Sequence, residues 1–293
     1  MPRLAIVISA VGSIESLERT LVSVLENRPA DCEILVALNG PYADPYDLKD
    51  EVRFIPPVGS ASSTAATARA LAASRAPFIH LLASGCQVSE GWTDAALARF
   101  GDRQVGSVAP LVWDSRQRER IFAAGVGYRR SGRRYCVGKG LAAIEPSLRT
   151  AILGPCHFAA FYRRAALDFV GGLNARLTPR QADADLALAL KHAGFSVALE
   201  PRASVLASAQ TDPSPRGFRQ ALGEERMFWR NLTGPGLTSA FLAHLGLVGW
   251  ELAGSFPRPR MLTQLAGRMW ACLEFGSHAP HSRKFDALAG RIA

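Results

Sequence analysis

The chain reads as an α/β protein: a mixed, mostly parallel sheet between helices, with a helical appendage towards the C-terminus. Three observations lead there. The apolar runs Leu4–Ala10, Cys32–Leu38 and Phe78–Leu82 lack polar alternation, as expected of strands covered on both faces. A helical stripe of Leu17, Leu21, Val24 and Leu25 separates the first two, giving a strand–helix–strand unit with a Rossmann-like start. A length of 293 residues with 48% hydrophobic content is enough for one large domain with an appendage.

Taken in order, Leu4–Ala10 is the first strand, and Ser13 caps the next helix with Glu15 and Glu18 near its positive end. Cys32–Leu38 is the second strand, closed by the turn signal Asn39-Gly40-Pro41. Val52–Ile55 is a short third strand, Ala61–Ser74 a helix, Phe78–Leu82 the fourth strand, Trp92–Phe100 a helix and Val105–Val112 the fifth strand. Residues 113–149 then form a basic insertion with nine Lys and Arg against three acids, centred on Arg129-Arg130-Ser131-Gly132-Arg133-Arg134. Two readings stand: a solvated hairpin Tyr128–Tyr135 with its charges outward, or arginine forks, Arg129 and Arg130, gripping a pyrophosphate in place of a metal.

The stretch Gly154–Pro201 organises the second half. Phe158–Tyr162 is a strand, and Arg163–Val170 a short helix stopped by Gly171-Gly172, where a positive φ costs little. After the loop Leu173–Arg180 comes an Ala-rich helix. It opens with Asp183 and Asp185 and closes with Lys191, His192 and Gly194, as the helix dipole favours. Phe195–Leu199 is the following strand.

This stretch resembles the acceptor-side half of family 2 glycosyltransferases of the GT-A fold, in particular the rhamnosyltransferase-like branch. The matching residues are Gly154, Arg163-Arg164, Val170-Gly171-Gly172-Leu173, Ala182-Asp183-Ala184-Asp185-Leu186, and Ala193-Gly194-Phe195 through Pro201. The first half is similar as well, so the resemblance covers roughly residues 3 to 210. It implies a nucleotide-sugar donor and a glycan or lipid-linked acceptor. It also implies that Asp183 is the general base. His157, in the Gly154 strand, is read as contacting donor phosphate or acceptor and is assigned to the acceptor side with Asp185; the alternative for both aspartates is a favourable charge at the helix start. Ser9, Asn39 and Ser84 stand at donor-side positions. His157 also reads as a satisfied core histidine, Ser84 as a plain loop residue, and His80 as structural.

The departures from the family are as informative. Family members hold a divalent ion, Mn or Mg, with an Asp-x-Asp motif at the end of the fourth strand. Here Ala83-Ser84-Gly85 stands there, a degenerate motif without a carboxylate. Leu38 replaces the aspartate of the second strand, Ala68 the helix asparagine, Ser9-Ala10-Val11-Gly12 the polar end of strand one, and Ala182 the glutamate before Asp183. The expectation is transfer without a metal at that motif and without another cofactor. The alternative is a catalytically degenerate relative that binds a glycan or a partner protein.

The net charge of +9 points to an anionic partner. Nucleic acid is excluded, because the basic residues sit in an insertion without the interleaved aromatics of a binding module. A dehydrogenase is excluded because Val11-Gly12-Ser13, not G-x-G-x-x-G, follows strand one. Five widely spaced cysteines without a C-x-x-C predict reduced thiols in a cytosolic compartment. The apolar N-terminal run is too short for a signal peptide. The nearest candidate span, Leu237–Phe256, is interrupted by His244 and Glu251. The domain boundary is expected near 210, with residues 211–293 a helical region and Arg216–Leu232 its first helix. Trp229, Trp250 and Trp270 with Arg258, Arg260 and Arg268 leave two readings of that region. It lies peripherally on the inner face of an anionic membrane, or its helices pack on the domain or in a homodimer through a stripe such as Leu242, Leu245 and Val248.

Overall fold

The structure is a computed structural model, and it describes residues 2–57, 62–207, 217–232 and 236–274. Two compact units are present. One comprises Met1–Gly127, Cys136–Lys191 and Phe195–Pro213, the other Tyr128–Tyr135, His192–Gly194 and Ser214–Ala293.

The first unit begins β1 (Leu4–Ser9), α1 (Ile14–Glu26), β2 (Cys32–Ala37), β3 (Val52–Ile55), α2 (Ser63–Ala73), β4 (Phe78–Ala83) and β5 (Gln87–Val88). It continues through α3 (Asp94–Arg99), β6 (Val105–Asp114), β7 (Ile121–Ala123) and α4 (Pro146–Ala151); between β7 and α4 run the hairpin strands β8 (Val126–Tyr128) and β9 (Arg134–Cys136), whose segment Tyr128–Tyr135 groups with the second unit. It closes with β10 (Ala159–Arg163), α5 (Arg164–Val170), α6 (Pro179–His192) and β11 (Ser196–Ala207). The sheet order is β3-β2-β1-β4-β10-β6-β11-β5, with β7 added to β6. β1, β2, β3 and β4 run parallel, as do β6 and β11, while β10 is antiparallel to both β4 and β6. The expected mixed, mostly parallel sheet is therefore present.

β1 shows why its sequence had no polar alternation. Leu4, Ile6 and Ile8 feed the core under α1 and α3, with Leu17, Leu21, Val24, Trp92 and Phe100. Ala5 and Val7 feed the opposite core, with Ala70, Leu71, Leu167, Leu186 and Leu190 of α2, α5 and α6. Both faces are buried from Leu4 to Ile8, so those five positions are all apolar. Because β1 lies between β2 and β4, a crevice opens outside the carboxyl ends of β1 and β4, the switch point where open α/β sheets bind ligands.

Several boundaries differ from the sequence-based expectation. α2 starts at Ser63 and is capped by Ser62, whose hydroxyl accepts from the Ala65 N–H at 3.2 Å; Ala61, the expected start, lies outside the described residues. β11 does not stop at Leu199. Its register with β6 breaks between Glu200 and Ser204, around Pro201, then resumes to Ala207. Proline lacks the N–H that the ladder needs, so it interrupts the strand without ending it. The helix expected to open with Asp183 and Asp185 opens at Pro179, so neither acid lies in its first turn. The turn of the β8–β9 hairpin closes through Arg129 N–H to Arg133 O at 2.9 Å, with Arg129, Arg130 and Arg133 exposed.

The second unit contains α7 (Phe218–Arg230), α8 (Leu237–Ser255) and α9 (Arg260–Leu273). The helix expected over Arg216–Leu232 is α7; Arg216 lies outside the described residues. The interior of the unit is ionic. Arg268 pairs with Glu225 and Glu251 and lies 3.5 Å from Glu224. His244 stacks on Phe228 with centroids 3.7 Å apart, donates from Nδ1 to the Ser131 carbonyl at 2.8 Å, and meets Glu225 through Nε2 at 3.0 Å. Burial pushes the Glu225 carboxyl up, but hydrogen bonds and charge from His244 and Arg268 outweigh it and hold it below the usual range. Among the described residues, no helix is long and apolar enough to cross a membrane.

Candidate active site

Ser9 ends β1 in register with Ala83 at the end of β4. The turn beyond Ala83 is stitched to the loop after β1. Ser84 N–H donates to Ser9 O at 3.0 Å. The Ser84 hydroxyl accepts from Val11 N–H at 2.9 Å and donates to the Val11 carbonyl. Gly85 turns the chain at φ 88° and donates its N–H to Thr20 Oγ1 at 2.8 Å. Ser84 is fully buried. Its hydroxyl locks a loop and does not face the crevice.

That geometry answers whether a divalent metal fits at this turn. A hard cation needs anionic oxygens there. Ala83 and Gly85 have no side-chain donor, and the one hydroxyl is engaged with Val11. The residues present do not fit the ion. Among the described residues, no cluster of three or more His, Cys, Asp or Glu is placed to hold a metal.

β10 supplies the other wall. The carbonyl of Phe158, just ahead of β10, accepts from Ala83 N–H at 2.9 Å, which puts His157 at the same edge of the sheet as Ser9. α6 brings Asp183 to it. The helix starts with one half of a capping box: Thr178 donates its N–H and its hydroxyl to Gln181 Oε1, at 3.2 and 2.7 Å, and Pro179 takes the first helical position. This start leaves Asp183 one turn inside the helix, where it is buried. Its Oδ2 accepts the His157 backbone N–H at 2.9 Å and lies 3.1 Å from His157 Nδ1. An ionised carboxylate there selects the imidazole tautomer protonated at Nδ1. Burial, and then the Asp183 charge, push the Tyr162 phenol up.

Ser9, Thr64, Thr67, Tyr162, His157 and Asp183 line a cavity of about 40 Å³. Thr67 Oγ1 donates to Ser9 Oγ at 3.0 Å, and the buried Thr64 hydroxyl has no hydrogen-bond partner. A second, wider cavity of about 160 Å³ lies at the ends of β1 and β2, lined by Ala10, Gly12, Ser13, Leu38, Asn39 and Tyr42 among others.

Of the residues singled out from sequence, Ser9, His157 and Asp183 share one cavity, and Asn39 is exposed at the rim of the other. Ser84 adjoins them but is turned away. Asp185 is buried on α6 and lines neither cavity. Arg129 and Arg130 belong to the second unit; Arg129 sits over the Tyr135 ring at 5.5 Å. Thr64, Thr67 and Tyr162 escaped the sequence reading. Thr178-x-x-Gln181 was a legible capping signal. Nothing local links His157 to Asp183.

No family model and no curated protein matches the sequence. Solved structures do. GalNAc-T7, solved with UDP, GalNAc and Mn2+, aligns at TM-score 0.61 and 12% identity, over 96% of this chain and 58% of its own. This chain thus spans under two thirds of that protein. The mannosyltransferase PcManGT of Pyrobaculum calidifontis, solved with GDP-Man and Mn2+, aligns at TM-score 0.56 and 13% identity, over 99% of this chain and 86% of its own. TarS of S. aureus, residues 1–349, aligns at 0.60 and 12%, over 98% and 83%. The fold is the GT-A fold of glycosyltransferases.

Proposed function

We propose that this chain transfers a sugar from a nucleotide-sugar donor to a hydroxyl of a glycan or a lipid-linked intermediate, as a relative of the rhamnosyltransferase-like branch of family 2 in a cytoplasmic, envelope-polysaccharide setting. The observation that carries the reading is the Asp183–His157 pair at the carboxyl edge of β1 and β4, lining a mostly apolar cavity with Ser9, Thr64 and Thr67. In such a transfer the acceptor oxygen attacks the anomeric carbon, the bond to the nucleoside diphosphate breaks, and the acceptor proton passes to a base. Asp183 is that base in this reading. His157 fixes the carboxylate through two hydrogen bonds, and Asp185 supports the acceptor side. Ser9 and Asn39 contact the donor, and Arg129 and Arg130 meet the charge that leaves with the diphosphate. Ser84 acts here through the loop it locks.

A second reading has its own observation. The turn at Ala83-Ser84-Gly85 offers no ligand for a metal, and Ser84 is engaged with Val11. On that ground the chain is a degenerate relative that binds a glycan or a partner protein.

Calorimetry with a panel of nucleotides and nucleotide-sugars separates the two, followed by a turnover assay on the donor that binds. A transferase gives saturable heat with at least one donor. Asp183→Asn then lowers the rate by about 10²-fold or more with an unchanged melting profile. No heat across the panel leaves the binding-protein reading.

A further inference from the structure

The second unit is amphipathic in the reverse of the usual sense. α8 has 19 residues, of which Glu251 alone carries a charge, yet only His244 is buried. Trp250 is 79% exposed, Phe256 69% and Leu242 66%. α9 turns Gln264 and Arg268 inward, while Leu262, Leu265, Met269 and Leu273 form an outward stripe at i, i+3, i+7 and i+11. Helices this apolar are ordinarily buried, and a continuous apolar patch marks a binding face.

Charge says what the face binds. The four acids among the unit's described residues, Glu224, Glu225, Glu251 and Glu274, are all paired with Arg268 or Arg226. Among the unit's described residues the exposed charges are cationic: Arg258 and Arg260 where α8 meets α9, Arg219 on α7, and Arg129, Arg130 and Arg133 on the hairpin turn. We propose that α8 and α9 dock this protein on an anionic lipid bilayer, lying in the interface with Trp250, Phe256 and the α9 stripe immersed and Arg258 and Arg260 at the headgroups. The docking residues, Trp250, Phe256, Arg258, Arg260 and the α9 stripe, are not among those of the transferase reading. A second copy is a poorer occupant. A symmetric partner presents the same unit, and among its described residues no exposed acid is available to meet these arginines.

The test is co-sedimentation of the full chain with phosphatidylcholine vesicles, with and without phosphatidylglycerol. Binding is expected on the anionic vesicles at low salt, and its electrostatic part is lost at high salt. Arg258→Glu with Arg260→Glu lowers the bound fraction about tenfold or more, and Trp250→Ser lowers it at either salt. Both substitutions are at exposed positions, and circular dichroism confirms that the variants stay folded. Absence of sedimentation with anionic vesicles at low salt overturns the proposal. So does a concentration-dependent dimer that Trp250→Ser abolishes, which assigns the face to a second copy.

Discussion

Burial pushes the His80 imidazole down to about 3, against a partly opposing hydrogen bond from Nδ1 to the Ala160 carbonyl. The ring is stacked on Phe161 with centroids 3.9 Å apart, and its Nε2 has no partner. It is therefore neutral in the folded protein at neutral pH, while the unfolded chain takes up a proton below the ordinary value of 6.5. Stability from this group is complete above that value and is lost as pH falls from there towards 3. The loss reaches about 2 kcal/mol at pH 5. Urea midpoints at pH 7 and pH 5 for the native chain and for His80→Phe check it: the variant should fall less on acidification, and equal slopes refute the assignment. Asp183 shows the contrasting treatment of a buried titratable group. It is as deeply buried, but its carboxylate is met by a backbone N–H and an imidazole. Pairing of this kind is what makes a buried charge tolerable.

The decisive contact between elements is that of the loop ahead of β10 with α6. A Cβ built on Gly154 falls on the Cβ of Ala187, one turn beyond Asp183. Glycine is required there for close approach, and that approach is what lets Asp183 reach His157. Gly154→Ala should cost about 1–3 kcal/mol by overpacking and lower activity by displacing α6. Ala187→Gly added to it should recover part of the stability, because it removes the clashing methyl group. Thermal or urea unfolding of the two single variants and the double variant gives the coupling, and strict additivity removes this contact from the explanation. The same glycine was visible in the sequence as the start of a matching stretch. Its partner was not, since a helix position 33 residues away becomes a neighbour only through the strand and turn between them.

For the whole molecule the transferase reading raises the question of how departing phosphate charge is met when the turn after β4 carries no acid. The protein is strongly basic at +9, and exposed arginines make up much of that charge. On the transferase reading these supply the electrostatics, and turnover with EDTA should equal turnover with added manganese. A rate that collapses in EDTA and returns with manganese overturns that view. The two units divide after Pro213, near the expected 210, but the hairpin segment Tyr128–Tyr135 and His192–Gly194 group with Ser214–Ala293.

The sequence by itself determined the α/β class, most strand positions and the helical character of the C-terminal region. Hydrophobic periodicity and turn residues are local and survive without tertiary information. It also singled out Asp183, through motif resemblance, and His157 and Ser9, through their places at strand ends. Only the tertiary structure decided which of these meet. It turned Ser84 away into a loop lock, placed Asp183 inside a helix that starts earlier than its acids suggested, and paired its carboxylate with His157. It also reversed α8 and α9, putting His244 and Arg268 inside and Trp250 outside. Periodicity finds a helix and its apolar side; which side faces solvent depends on neighbours far along the chain, and that choice is made by packing.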